Sequence, residues 1–212
     1  MKKISFNADV NVGNPYEAHR LVSAMFPKQK VNYVNIDGQF EVYAENEPII
    51  DEFAKRFNAN VDLIEDVVVE EGKTYSITCK AAAKIKVNPL AWKYADWKQN
   101  FPKSFKSVTE KNTKPKFFYI TDADEFKQWV KTQLEKNGCE IKLYDEKAHN
   151  SDSILEIDNE YATHVRIPEK NETVLYHSFN ALVKITDKAK FENLLRDGLG
   201  EGRFLGFGMV RI

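Results

Sequence analysis

The order of strands and helices that the hydrophobic pattern predicts is the feature that most restricts the fold of this chain. Residues 3–10 alternate apolar and polar side chains, which is typical of a half-buried strand. Pro15 suits the first turn of a helix, and the apolar residues after it recur at helical spacing. Asp37 and Gly38 lie between two apolar segments and predict a tight hairpin turn. A short helix at 49–57 and the extended segments after it complete the order β-α-β-β-α-β.

A second series of the same kind follows in the rest of the chain. A strand at 116–120 precedes a helix over 122–137, whose apolar stripe includes Phe126 and Leu134. Two strands, a further helix and a closing strand then follow, at 139–144, 174–185, 187–196 and 207–212. The sequence therefore predicts an α+β protein of two tandem ferredoxin-like domains, also called RRM-like, each with the order βαββαβ.

The length and the charge of the chain agree with this division. A chain of 212 residues fits one large domain or two domains of about a hundred residues each, and either arrangement can bury a core. We predict an N-terminal domain at 1–88 that carries the helix beginning near Pro15, a basic aromatic linker at 89–115 and a C-terminal domain at 116–212. The formal net charge of -1 excludes a chain that is basic throughout, so contact with nucleic acid requires local clusters of positive charge.

The sequence predicts neither metal binding nor membrane insertion. Cys79 and Cys139 stand alone, with no second cysteine or histidine at the spacing of a zinc site. No apolar stretch approaches the length of a transmembrane helix, and Asn7 and Asp9 interrupt any apolar signal segment near the start. We therefore expect a cytoplasmic protein with reduced thiols that uses no metal and no cofactor and has no membrane partner.

Residues 80–116 form a lysine-rich tract in which aromatic side chains are interleaved. Asp96 and Glu110 are the only acidic residues in it. Lysine binds phosphates and aromatic rings stack on bases, so the tract is typical of a protein that binds single-stranded or hairpin RNA. Lys84 and Lys86 are candidate RNA-binding residues in it. A solvated linker whose aromatic rings are buried in the core explains the same composition.

The C-terminal residues 198–212 are rich in glycine. Gly198, Gly200 and Gly202 stand close to Arg203. Because glycine has no Cβ, it accepts positive φ angles and lets backbone N–H groups approach an anion closely. With an arginine beside these amides, the pattern predicts a loop that grips a phosphodiester backbone. The alternative is a helix cap followed by a flexible hairpin, with no ligand.

The first helix places four polar side chains on one face. Tyr16, His19, Arg20 and Ser23 occur at helical spacing opposite the apolar stripe. Histidine titrates near neutral pH and can give or accept a proton, arginine can neutralise a phosphate, and tyrosine can orient a hydroxyl. The group predicts an acid–base site, although an ordinary solvated helix face contains the same residue types.

Three segments together resemble one family. They are residues 16–27, which begin Tyr-Glu-Ala-His-Arg, residues 84–89, Lys-Ile-Lys-Val-Asn-Pro, and the glycine-rich residues 198–210. In this order they are similar to the CRISPR-associated CasE (Cse3) endoribonucleases, which process precursor CRISPR RNA in the Cascade system. The resemblance runs from the first helix to the last strand, and it implies the same tandem ferredoxin-like architecture.

The resemblance also implies a reaction. The family cuts each CRISPR repeat at the base of a stem-loop without a metal, using the 2′-hydroxyl before the scissile phosphate as the nucleophile. The products are a 2′,3′-cyclic phosphate and a 5′-hydroxyl. His19 matches the family's catalytic histidine, Tyr16 the tyrosine one helical turn before it, and Arg20 a basic neighbour that contacts the phosphate. The implied partners are the repeat stem-loop, on which the protein remains, and the other Cascade subunits.

Two departures from the family pattern affect the predicted RNA contacts. Glu201 stands where the family often carries a basic residue, which leaves Arg203 as the only cation of the glycine-rich loop. The hairpin that the family inserts at the stem base corresponds to 161–173 here, with Arg166 and Lys170 as its cations and His164 as a conditional one. The residues predicted to bind RNA are Arg20, Lys84, Lys86, Arg166, Lys170, Gly198, Gly200, Gly202 and Arg203.

The sequence leaves two other functions open. A non-catalytic RNA-binding subunit of the same fold would use His19 and Tyr16 only to contact RNA, and an interaction scaffold would not bind RNA at all. Cleavage of a repeat hairpin in EDTA separates the endoribonuclease from both alternatives. Salt-dependent binding separates the two alternatives from each other.

Overall fold

The computed structural model describes residues 1–10, 15–87, 116–143, 154–167 and 170–212. Within these ranges the chain forms antiparallel sheets, α-helices and a short 3-10 helix. The strands are β1 (Lys2–Asn7), β2 (Asn32–Ile36), β3 (Gln39–Ala44), β4 (Asn60–Asp66), β5 (Thr74–Ala81), β6 (Lys84–Val87), β7 (Lys116–Tyr119), β8 (Cys139–Ile141), β9 (Leu155–Ile167) and β10 (Lys170–Ile185). The helices are α1 (Pro15–Met25), α2 (Glu52–Arg56), α3 (Ala123–Lys136) and α4 (Lys188–Asp197), and the 3-10 helix is Arg203–Leu205.

The first sheet has the strand order β2-β3-β1-β4, and all neighbouring strands are antiparallel. Leu21, Val22 and Met25 of α1 are buried against it, as their spacing in the sequence predicts. In the same core the rings of Phe6 and Phe40 stack with their centroids 4.6 Å apart. This packing fixes the rotation of α1, so its polar face is left for the site.

The second sheet has the order β5-β10-β8, again antiparallel, and β9 pairs with β10 in a long hairpin. The hairpin predicted at 161–173 includes the paired ends of these two strands, and its residues 168–169 lie outside the described residues. Phe126 of α3 and Phe191 of α4 are fully buried in one cluster with Phe179 of β10. The second core is therefore built from two helices and one sheet.

Two strands have partners that the sequence did not predict. The strand expected to open the C-terminal domain at 116–120 is β7, and it pairs with β6 in a separate two-stranded sheet. β5 lies within the predicted domain 1–88, yet it pairs with β10 of the second sheet. Alternating apolar residues predict a strand, but they do not select its neighbour. The division at 88 and 116 stays a prediction, and the linker 89–115 lies outside the described residues.

The predicted closing strand at 207–212 is an extended segment beside β5 rather than a continuous strand. The Gly208 amide donates to the Lys80 carbonyl at 2.6 Å, and the Arg211 amide donates to the Thr78 carbonyl at 2.9 Å. Only a single bridge, between Thr78 and Arg211, joins the two segments as strands are joined.

The two sheets meet at the outer face of the first sheet. Val34 and Tyr43 are buried in the same apolar cluster as the second core. The Tyr43 hydroxyl accepts a hydrogen bond from the Ile212 amide at 3.3 Å. The Glu41 carboxylate oxygen Oε2 lies 3.8 Å from Arg211 Nη1. The C-terminal segment therefore docks on the first sheet and brings the glycine-rich loop to α1. None of the described helices is long and apolar enough to span a membrane.

Candidate active site

A groove lies between α1, the segment that follows it and the glycine-rich loop. Its volume is 410 Å³. The residues that line it come from these three parts and from the end of α4, and they are His19, Gln29, Lys30, Val31, Asp197, Glu201, Gly202, Arg203 and Phe204. The fold thus brings together His19, Gly202 and Arg203, which the sequence predicted from opposite ends of the chain.

His19 has an aromatic ring on two sides. Its ring centroid is 6.3 Å from that of Tyr16, one helical turn before it, and 5.6 Å from that of Phe204, whose ring meets it nearly at a right angle. Partial burial lowers the pKa of His19 below its ordinary value of 6.5. The imidazole is therefore neutral at neutral pH, so it can accept a proton and then return it.

The glycine-rich loop is folded around the 3-10 helix. Gly202 and Gly206 adopt left-handed backbone conformations, with φ of 71° and 85°, at its two ends. Residues with side chains rarely adopt this conformation, so the two glycines allow the chain to turn there. The Tyr33 hydroxyl donates a hydrogen bond to the Phe204 carbonyl at 2.8 Å. These features hold Phe204 and Arg203 at the groove, and the RNA contact of Gly202 stays a prediction.

The other glycines of the loop allow the protein backbone to approach itself closely. A Cβ on Gly200 would lie 2.5 Å from the Ala82 carbonyl oxygen, and a Cβ on Gly208 would lie 2.1 Å from that of Leu199. A Cβ on Gly198 would lie 2.7 Å from the carbonyl oxygen of Gly208. Packing within the protein accounts for these glycines, and the RNA contacts of Gly198 and Gly200 stay predictions.

Asp197, the last residue of α4, is bonded to two cations of the groove. Its carboxylate accepts a hydrogen bond from Lys30 Nζ at 2.7 Å, and its carbonyl accepts one from Arg203 Nη1 at 2.7 Å. The hydrogen bond from Lys30, with the positive charge of Lys30, Arg196 and Arg203, lowers the pKa of the Asp197 carboxyl. Sequence reasoning missed Lys30, Asp197 and Phe204. For Asp197 the sequence held one indication: it is an acidic residue at the C-terminal end of a helix, where the helix dipole favours a cation.

The comparison with protein families identifies the chain's relatives. Residues 2–212 match the family described as CRISPR associated protein. The chain belongs to this CRISPR-associated protein family. The resemblance drawn from the three sequence segments is thereby confirmed at the level of the family. No curated protein sequence matches the chain significantly.

Solved structures are similar to this CRISPR-associated protein along nearly their whole length. A structure of the CRISPR endoribonuclease Cse3 bound to 19 nt RNA has a TM-score of 0.72 and 16% identity, over 100% of this chain and 99% of that chain. Thermus thermophilus Cse3, bound to an RNA representing a pre-cleavage complex, has a TM-score of 0.70 and 15% identity, over 100% of this chain and 98% of that chain. A chain of a CRISPR RNA-guided surveillance complex has a TM-score of 0.62 and 9% identity, over 100% of this chain and 98% of that chain. The likeness shows a common fold of helices and antiparallel sheets.

Two predicted cations of this CRISPR-associated protein do not line the groove. The guanidinium carbon of Arg20 is 5.4 Å from the ring centroid of Phe53 on α2, so Arg20 packs on α2 rather than beside His19. Lys84 Nζ lies 4.5 Å from the ring centroid of Tyr119. The RNA contacts of Arg20 and Lys84 stay predictions.

Three further predicted cations are described by their backbone positions only. Lys86 lies in β6 opposite Phe117, Arg166 lies in β9 opposite Asn171, and Lys170 begins β10. The side chains of these lysines and of Arg166 lie outside the described part of the structure. Their RNA contacts therefore stay predictions.

Metal-ligating side chains do not gather in the described part of this CRISPR-associated chain. No group of three or more His, Cys, Asp and Glu residues there could hold a metal ion. Cys79 and Cys139 are buried free thiols, and burial raises the pKa of Cys139 to about 12. That the reaction needs no metal stays a prediction, and cleavage in a chelator tests it.

Proposed function

We propose that this protein is an endoribonuclease that cleaves CRISPR repeat RNA at the base of a stem-loop without a metal. The observation that carries the proposal is the shared groove of His19 and Arg203, with Tyr16 beside the histidine. A proton-transfer group and a cation in one groove are what phosphodiester cleavage needs. Membership of the CRISPR-associated family and the fold shared with Cse3 structures bound to RNA support this choice of substrate.

In the proposed reaction the 2′-oxygen before the scissile phosphate attacks the phosphorus. The new bond closes a 2′,3′-cyclic phosphate, and the bond between phosphorus and the 5′-oxygen breaks. The 2′-hydroxyl gives up one proton, and the departing 5′-oxygen gains one and leaves as a 5′-hydroxyl. His19 moves one of these protons, as acid or base, Tyr16 orients a reacting oxygen, and Arg203 offsets the negative charge that grows on the phosphate.

We also propose that the architecture is that of two tandem ferredoxin-like domains. The order β2-β3-β1-β4, with α1 after β1 and α2 after β3, supports this assignment for the first domain. For the second domain, support comes from the order β5-β10-β8, from α3 and α4, and from the C-terminal segment that lies beside β5. β5 lies within the predicted domain 1–88, yet its pairing with β10 joins it to the second sheet.

The protein is further proposed to stay on its product RNA and to join the other subunits of a Cascade assembly. The fold shared with a chain of a CRISPR RNA-guided surveillance complex supports this role. RNA would also contact Lys84, Lys86 and the hairpin that carries Arg166 and Lys170. Replacing both Lys84 and Lys86 by Ala is expected to lower the salt slope of RNA binding by about one unit for each phosphate that is no longer bound.

The experiment that tests the proposed function is cleavage of a labelled repeat hairpin in EDTA. We expect His19→Ala to slow cleavage by about a hundredfold or more, with little change in RNA affinity, because general acid–base groups contribute that much. Ser23→Ala is the matched control, since Ser23 is an exposed residue of the same helix that does not line the groove. A hairpin with 2′-deoxyribose at the cleavage position should bind and remain uncut.

Four outcomes would reject the proposal. Cleavage that requires magnesium, or that continues unchanged in His19→Ala, contradicts the mechanism. Binding without any cleavage would support the non-catalytic RNA-binding subunit, and the absence of both would support an interaction scaffold.

A further inference from the structure

Asp197 stands at the C-terminal end of α4, where the helix dipole disfavours an acidic residue. Three cations surround it: Lys30 Nζ at 2.7 Å, Arg196 Nε at 3.8 Å, and the Arg203 guanidinium, which donates to the Asp197 carbonyl at 2.7 Å. Arg196 is its neighbour in sequence, whereas Lys30 and Arg203 come from two other segments of the groove. Asp197 therefore holds two cations in the groove that contains His19.

Lys30 is the more movable of these two groove cations. Its side chain is 64% exposed, and the side chain of Asp197 is 40% exposed. An ion pair this open to water contributes little free energy, because water screens it. The Lys30 ammonium can therefore exchange the carboxylate for another anion. Arg203 is less free, because it donates to a backbone carbonyl and belongs to the folded turn.

We propose that Lys30 binds a phosphate of the RNA in the groove beside His19, and that Asp197 holds Lys30 there until the phosphate replaces the carboxylate. This inference rests on the proposed function and adds a residue to its RNA contacts. An ammonium group has three donors and can turn toward a phosphate oxygen. The displaced carboxylate keeps Arg196 as a neighbour, so it is not left without a cation.

The test measures binding of a repeat hairpin with 2′-deoxyribose at the position that the wild-type protein cuts. Lys30→Ala is compared with Lys28→Ala, which removes an exposed lysine of the same segment that does not line the groove. We expect Lys30→Ala to weaken binding on the order of three- to tenfold and to lower the salt slope by about 0.7 to 0.9, the effect of one bound phosphate. Lys28→Ala should change neither quantity. Lys30→Arg keeps the charge and should keep most of the affinity.

Asp197→Asn tests the second part of the proposal. With Lys30 present, this substitution frees the ammonium and removes a negative charge, so RNA should bind about two- to fivefold more tightly. In a Lys30→Ala background the substitution removes only the repulsion between the Asp197 carboxylate and the RNA phosphates. The gain in RNA affinity should then be smaller. An equal gain in both backgrounds would mean that Asp197 only repels RNA, and would overturn its assigned role.

Failure of this proposal can be told apart from failure of the proposed function. If the wild-type protein cuts the hairpin while Lys30→Ala and Lys28→Ala bind alike, the endoribonuclease stands and the role of Lys30 is wrong. If the wild-type protein neither cuts nor binds the hairpin, both proposals fall. Thermal melting checks that each variant is folded, and Lys30→Gln replaces Lys30→Ala if the alanine variant is unstable.

Discussion

The hydroxyl of Tyr33 donates a hydrogen bond to the carbonyl of Phe204 at 2.8 Å and so ties the first sheet to the glycine-rich loop. Tyr33 is fully buried in β2, and burial raises its pKa, so the hydroxyl keeps its proton and stays a donor. The ring of Phe204 in turn contacts His19. One buried hydrogen bond thus helps to fix the loop relative to the candidate catalytic residue.

Tyr33→Phe is predicted to lower the free energy of unfolding by about 1 kcal/mol, because the Phe204 carbonyl loses its partner while the ring still fits. Chemical denaturation measures the change. Tyr75→Phe is the matched control, since its hydroxyl accepts from the Glu70 amide at 3.0 Å in an exposed position. The free energy of unfolding should fall by less in the control than in Tyr33→Phe. If both substitutions have the same effect, the bond to Phe204 has no special weight.

Gly208→Ala is predicted to destabilise the protein far more than Gly72→Ala. Both glycines have φ of 82°, so both variants carry the same backbone strain, about 1 to 2 kcal/mol. A Cβ on Gly72 has no atom within 4 Å, whereas one on Gly208 would lie 2.1 Å from the Leu199 carbonyl oxygen. The clash is with backbone and cannot be relieved by a rotamer change. Equal unfolding free energies for the two variants would contradict the close approach.

Gly202→Ala is predicted to fold and to bind repeat RNA more weakly. Gly202 has φ of 71°, and the nearest atom to a Cβ there is a ring carbon of Phe207 at 3.2 Å, which can yield slightly. Gly72→Ala carries similar strain away from the groove and serves as the control. Melting reports the fold and titration with hairpin RNA reports affinity. If Gly202→Ala binds RNA like Gly72→Ala, the loop is a structural turn and does not approach phosphates.

The imidazole of His19 is predicted to titrate below pH 6.5 in the RNA-free protein, because burial lowers its pKa by disfavouring the charged form. The unfolded chain then binds this proton more readily, so the shift reduces stability only as the pH falls below about 6.5. Phe204→Ala should expose the ring and raise its pKa toward the ordinary value. NMR titration measures the pKa of His19 in the wild-type protein and in Phe204→Ala. The imidazole signal of His19 is assigned by its disappearance in His19→Ala. A midpoint above 6.5, or no rise in Phe204→Ala, would show that burial is not the cause.

Local sequence patterns predicted the helix α1 and the turn between β2 and β3. The spacing of Leu21, Val22 and Met25 predicted both α1 and its buried face, and the structure has both. The pair Asp37 and Gly38 predicted the turn between β2 and β3, and both residues have the positive φ that such a turn needs, 53° and 85°. These signals depend on neighbouring residues alone, which is why the sequence was sufficient.

Relationships between distant segments could not be read from the sequence in the same way. β5 alternates as any strand does, and its partner β10 is chosen by the packing of the whole second core. The pairing of Lys30 with Asp197 joins the segment after α1 to the end of α4, and no local pattern links them. Arg20 shares a helical face with His19, yet its long side chain reaches Phe53 on α2. Such contacts follow from the fold.

The cation–π contact of Arg20 with Phe53 is predicted to be broken when RNA binds. The guanidinium carbon is 5.4 Å from the ring centroid, and a double-mutant cycle of Arg20→Ala with Phe53→Leu should give a coupling of about 0.5 kcal/mol in the free energy of unfolding. Leucine keeps apolar packing against Phe57, whose ring centroid is 5.2 Å away, and removes only the aromatic face. If Arg20 contacts a phosphate, it has to leave Phe53, so Arg20→Ala should weaken RNA binding while Phe53→Leu leaves it unchanged or strengthens it. Equal weakening in both variants would mean that Arg20 meets RNA from its place on Phe53, and no change in either would remove Arg20 from the RNA contacts.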